Sequence, residues 1–430
     1  MRKVSPILII GLSVIASSCE KIDHSGEKQT RQDTPWVSQE AVAMILSKLP
    51  LGSGQVGEVH DAVSASSDNG YDEEYTMSDL FREPGSGVGD AETRAMGLKT
   101  EVLSYDSPLK DLISSYILEN GVPSTKSSPI IPVRSGDEGY SSGNEGFTPE
   151  EYLKALQSSD IQIYWPYSEN WDGKTVPIIT FDPEDGSSVN VGYRRRPDGT
   201  IETLMVDESL AQSNPVWVVN RNDDSYYESL EMLRRQDPDW GSTGGEIIIG
   251  KKSPRPTLAC APSATAPASL SKVKTLILKN IKVLRNFDPW FAGASEFFIK
   301  CGAVEDFTAS TEAEMRLYTP QVTDFMIVVK RKEVGVEKPF NAVLVSDWTD
   351  QLESIAFMAA EDDGGTRTEW KCSGYVKIKS KSYGYEISLP LNVRDDIVWR
   401  GQLSSSYLDK YNNTEARFGD VILTFQFLEK

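Results

Sequence analysis

The sequence predicts a mainly β protein with a small helical N-terminal region, a central small β module and a C-terminal two-sheet β-sandwich. Three observations lead there. Helical periodicity is confined to short stretches near the amino end. Between residues 161 and 219 apolar and polar residues alternate in segments separated by turn residues. After residue 273, eight short apolar segments occur in about 155 residues, a density that fits two packed sheets.

The helices come first in the chain. Ser38 can cap a helix that places Val42, Ile45, Leu46 and Leu49 on one face before Pro50 stops it. Val56, Val59 and Val63 predict a second, broken at Ser66-Ser67-Asp68-Asn69-Gly70. A third starts at Ser107-Pro108, carries Leu109, Leu112, Ile113, Tyr116 and Ile117, and ends at Asn120-Gly121. Ser66–Glu101 and Lys126–Gly146, rich in polar residues and glycine, read as loops or disorder. Thr148-Pro149-Glu150-Glu151 opens a short fourth helix.

Strands are then expected over 161–167, 176–181, 189–196, 200–206 and 216–219, with Ile247–Ile249 closing this unit. Pro197-Asp198-Gly199 joins the third and fourth as a hairpin. The Arg194-Arg195-Arg196 run at its tip is either a solvated edge that resists aggregation or an anion site. Four prolines between Ser253 and Ser269 mark a linker. The last unit carries strands near 276–283, 296–301, 325–329, 342–345, 355–359, 375–378, 385–389 and 421–427. The expected organisation is thus 36–146 helical with long loops, 147–252 central β module, 253–270 linker and 271–430 sandwich.

Charge and composition limit the function. With 44 Lys and Arg against 64 Asp and Glu, the formal charge is −20, opposite in sign to the basic face that nucleic-acid binding needs. Only 2 histidines remove the commonest general base and zinc ligand from nearly every position. Gly52-Ser53-Gly54-Gln55-Val56-Gly57 has the letters of a dinucleotide fingerprint, but it follows a helix and Pro50 instead of a strand, so no nucleotide or haem cofactor is expected.

Residues 1–18 have the anatomy of a secretory signal: Arg2 and Lys3, an apolar Ile7–Ile15 core far short of the ~20 residues of a spanning helix, then Ala16-Ser17-Ser18. With Cys19 next, the segment resembles the lipobox of bacterial lipoproteins, most closely the Ser-Ser-Cys type of Bacteroidetes, although Ala16 stands where leucine is commoner. The resemblance implies export, acylation of Cys19 and anchoring at the outer membrane or cell surface, with the acyl chains supplying the hold. Residues 19–35 would be a tether, since Ile22 is the one apolar side chain between Glu20 and Thr34. In an exported protein one pair among Cys260, Cys301 and Cys372 can bridge, and the pairing stays open.

Two constellations carry chemistry. Asn286-Phe287-Asp288-Pro289-Trp290, Asp347 beside Trp348, and Glu361-Asp362-Asp363-Gly364-Gly365 all follow predicted strands of the last unit. On these residues, and on Gly419-Asp420-Val421-Ile422-Leu423-Thr424-Phe425, the unit resembles a C2-type sandwich, which implies calcium held by Asp288, Asp347, Glu361, Asp362 and Asp363. Such an ion takes roughly six to eight oxygens. Trp165, Tyr167 and Trp171 form a ring-rich segment that can stack on a glycan, line a groove for a protein ligand, or pack a core. The expectation is a lipid-anchored, non-catalytic binding or scaffolding protein. The alternative is a carboxylate-dependent, glycosidase-like surface hydrolase with two carboxyl groups about 5 to 10 Å apart.

Overall fold

A computed structural model describes residues 37–82, 107–125, 148–222, 227–236, 248–249 and 273–429. Cys19 with the signal and tether, Cys260 and the 253–270 linker lie outside the described residues. The fold is mainly β, with its helices concentrated toward the amino end and antiparallel sheets in the C-terminal region.

The chain opens with α1 (Gln39–Lys48), where Ser38 Oγ accepts the Ala41 N–H as the cap predicts, and α2 (Ser53–Asp68), which takes in the glycine run at 52–57 with Gly52 as its N-cap. The expected loop after Ser66 is partly structured: α2 runs on to Asp68, and β1 (Glu74–Thr76) and α3 (Met77–Leu80) follow. Next come α4 (Leu109–Asn120) and α5 (Pro149–Gln157). α4 stops at Gly121, whose φ of 71° is the left-handed backbone that glycine adopts at no steric cost. α5 carries the capping box of Thr148 and Glu151.

The first sheet comprises β1, β2 (Ile161–Tyr164), β3 (Ile178–Phe181), β4 (Val189–Arg195), β5 (Ile201–Asp207) and, after the short α6 (Glu208–Ala211), β6 (Val216–Arg221). Its order is β1-β2-β6-β3-β4-β5, antiparallel except between β3 and β6. Period-two alternation buries both faces. Ile161, Ile163, Ile179, Trp217 and Val219 join one apolar cluster with Val42, Ile45, Leu46, Val59, Ile113 and Leu156 of the helices. Tyr164, Ile178, Val216 and Val218 face the other way, onto Trp290 and Phe291 of the C-terminal part.

That part follows α7 (Leu230–Gln236) and β7 (Ile248–Ile249) and contains β8 (Lys274–Val283), β9 (Ser295–Ala303), the one-turn α8 (Glu312–Met315), β10 (Gln321–Val329), β11 (Lys338–Trp348), β12 (Leu352–Glu361), β13 (Arg367–Ile378), β14 (Lys381–Asn392), β15 (Asp396–Ser404), α9 (Ser405–Lys410), β16 (Glu415–Phe418) and β17 (Val421–Glu429). One sheet runs β10-β9-β12-β13-β14, with β15 also on β12; the other runs β16-β17-β8-β11-β7. Leu276, Leu278, Phe297, Ile299, Phe325, Leu344, Ile355, Phe357, Leu423 and Phe425 fill the space between them. Ile248–Ile249 does not close the central sheet: it pairs parallel with Ala342–Val343 of β11, whose edge accepts it. Cys301 and Cys372 both carry free thiols, so the bridge between these two is excluded.

The two parts are joined through the β8–β9 loop. Trp290 is buried and donates from Nε1 to the Ser188 carbonyl at 2.9 Å, while Asp72 accepts the Ala294 N–H at 2.9 Å. Arg331 donates to Glu208 of the central part at 2.7 Å and to the Asp288 carbonyl at 3.0 Å.

Candidate functional site

Three acidic side chains meet at one end of the sandwich. Asp288 follows β8 in the loop that sends Trp290 into the central sheet. Glu361 is the last residue of β12, in register with Phe297 on β9 and Asp396 on β15, so the sheet itself fixes its position. Asp363 follows two residues later. One carboxylate oxygen from each of Asp288, Glu361 and Asp363 lies within 4.8 Å of the others. Glu361 is 0 % exposed, and Oδ2 of Asp288 is buried with no hydrogen bond from any described residue.

The electrostatics follow from this crowding. Burial raises the Asp288 carboxyl, against the downward pull of its contacts with Glu361 and Ser295 and of the Arg331 guanidinium. Asp363 is pushed up to about 6, first by burial and then by Asp288, Asp396 and Asp362, with Arg394 opposing. A carboxyl held above its ordinary range among other carboxyls either keeps a proton or takes a cation in its place.

Asp362 serves a different purpose. Its Oδ1 accepts the Gly364 N–H at 3.0 Å and the Asn392 amide at 2.8 Å, which turns it from the three converging groups toward the β14–β15 connection. Asp395 there accepts the Asn392 N–H at 2.7 Å and is pushed up to about 7 by burial and by its contact with Asp362. Asp347 is not brought to the cluster. β11 runs antiparallel to β8 with Trp348 opposite Lys274, so Asp347 sits at the start of β8 and Asp288 beyond its end. The sequence reading missed Arg331, Asp395 and Asp396; two acids in the turn before Ile397 were the signal for the last pair.

Compared with known proteins, the chain matches no family model, no curated protein and no solved structure.

The aromatic segment is divided by the sheet. Trp165 is 1 % exposed and belongs to the helix-side core, where it packs edge-on against Trp217 and Trp171. Tyr167 packs on the opposite face, its hydroxyl donating to Glu208 at 2.8 Å. Trp171 is half-buried beside His60, and its Nε1 donates to the Thr175 carbonyl at 2.9 Å. Of the three, Trp165 has no surface to offer a ligand.

Proposed function

We propose that the protein is a lipid-anchored module of the outer membrane or cell surface, held by acyl chains on Cys19, that binds or scaffolds without catalysis and takes up calcium. The observation that carries the calcium reading is the convergence of Asp288, Glu361 and Asp363 within 4.8 Å around a buried carboxylate oxygen. A divalent ion there would neutralise the mutual repulsion of the carboxylates, with backbone carbonyls and water completing its shell. Because Asp288 shares its loop with Trp290 and Phe291, an ion on Asp288 would also fix the joint between the sandwich and the central sheet.

The same geometry gives less support to a carboxylate-dependent hydrolase. Carboxyl groups this close, one of them with no exposed surface, leave no room for a sugar between them.

Thermal melting tests the calcium reading. Millimolar calcium is expected to raise the midpoint by several degrees, chelator to reverse the rise, and Asp363→Asn to abolish it. Equal midpoints with calcium and with chelator would remove calcium from the proposal.

A further inference from the structure

The hairpin of β4 and β5 ends in three consecutive arginines, and all three contribute to the lining of one cleft. Arg194, Arg195, Arg196, Thr175 and Asn214 line a depression of about 460 Å³ beside the hairpin turn. Their charge is opposite to that of a chain carrying −20 overall. Glu202 holds two of the guanidiniums, Arg196 at 3.2 Å and Arg194 at 3.9 Å. Arg195 makes no side-chain hydrogen bond or ion pair with any described residue, and its Nη2 lies against Gly199, where an added side chain would meet it at 3.5 Å. A guanidinium without an acidic partner presents the fork that pairs with carboxylate or sulfate oxygens.

The rest of the cleft selects the body that carries such an anion. Val176 and Pro215 give it an apolar wall, suited to the C–H face of a pyranose ring. Asn214 donates its amide to the Leu210 carbonyl at 3.2 Å, which leaves its Oδ1 to accept from a hydroxyl.

We propose that this cleft is a subsite for an acidic saccharide, with Arg195 pairing to the sugar's carboxylate or sulfate. The inference rests on the binding-module reading and supplies its ligand class; it does not depend on calcium.

Titration calorimetry on the full chain tests it, using a galacturonic acid trimer, a neutral hexose trimer of the same length, and sodium sulfate. The acidic trimer is expected to bind at least about tenfold more tightly than the neutral one, with sulfate competing. Arg195→Gln should weaken binding about tenfold, while Glu202→Gln, which releases Arg194 and Arg196, should strengthen it. Equal affinity for both trimers, or no effect of Arg195→Gln, would overturn the subsite. Sulfate binding as tightly as the acidic trimer would overturn the saccharide assignment. If the subsite fails while calcium still raises the melting midpoint, the calcium-binding module stands without this ligand.

Discussion

Asp363 shows how one residue position concentrates the electrostatics of the site. It is half-buried, it faces Asp288, Asp396 and Asp362, and Arg394 compensates only in part. With chelator present, Asp363→Asn should therefore stabilise the protein, by about 1 kcal/mol, because a neutral amide removes the repulsion and keeps the shape. Urea unfolding checks this, and a variant less stable than the parent would mean that the carboxylate is already compensated without an ion. Asp288, Glu361 and Asp363 were legible in the sequence as acids that follow strands. The same signal chose Asp347, because an acid after a strand says nothing about which end of the sandwich it occupies; the antiparallel pairing of β8 and β11 decides that. Trp165 and Trp171 are similarly alike in sequence, and only the sheet's faces bury one more deeply than the other.

The elements that were legible are those whose own residues dictate their period and ends. Ser38 and Thr148 as caps, Gly121 as a stop and the Pro197-Asp198-Gly199 hairpin stand where expected, since each acts within a few residues of itself. The sandwich strands were found from apolar cores that the structure extends at one or both ends, as in β11, read over 342–345 and formed over Lys338–Trp348. β15 escaped notice because Leu403 is the one buried residue of Asp396–Ser404, with Arg400 and Gly401 interrupting its apolar residues. β1 is three residues long, too short for any periodicity, and exists through β2 far away in the chain, whereas β7 stands where a strand was expected but pairs with β11 and not with the central sheet. The helices gave no sign of what they cover; Val42, Ile113 and Leu156 complete their core with strand residues up to Val219.

For the molecule as a whole, buried carboxyls set the response to pH. Burial is the first cause that lifts Glu58, Glu73 and Asp395 to about 7 and Asp363 to about 6, above their ordinary values near 4. Between about pH 4 and 7 the folded chain therefore binds more protons than the unfolded chain, so stability falls as pH rises through this window and levels off above it. Carboxyls held low, such as Glu169 and Glu208, act only at more acid pH. In chelator, the urea midpoint at pH 5 should exceed that at pH 8; the reverse order would mean that these groups ionise without cost in the fold. Calcium competes with the same protons, so its stabilisation should be larger at pH 8 than at pH 5.

The central claim is that Asp288, Glu361 and Asp363 hold one cation, and terbium luminescence excited through tryptophan tests it most directly, because Trp290 lies two positions after Asp288. One saturable terbium site per chain is expected, displaced by calcium and lost in Asp363→Asn. Emission that is absent, or that persists unchanged in Asp363→Asn, would contradict the claim.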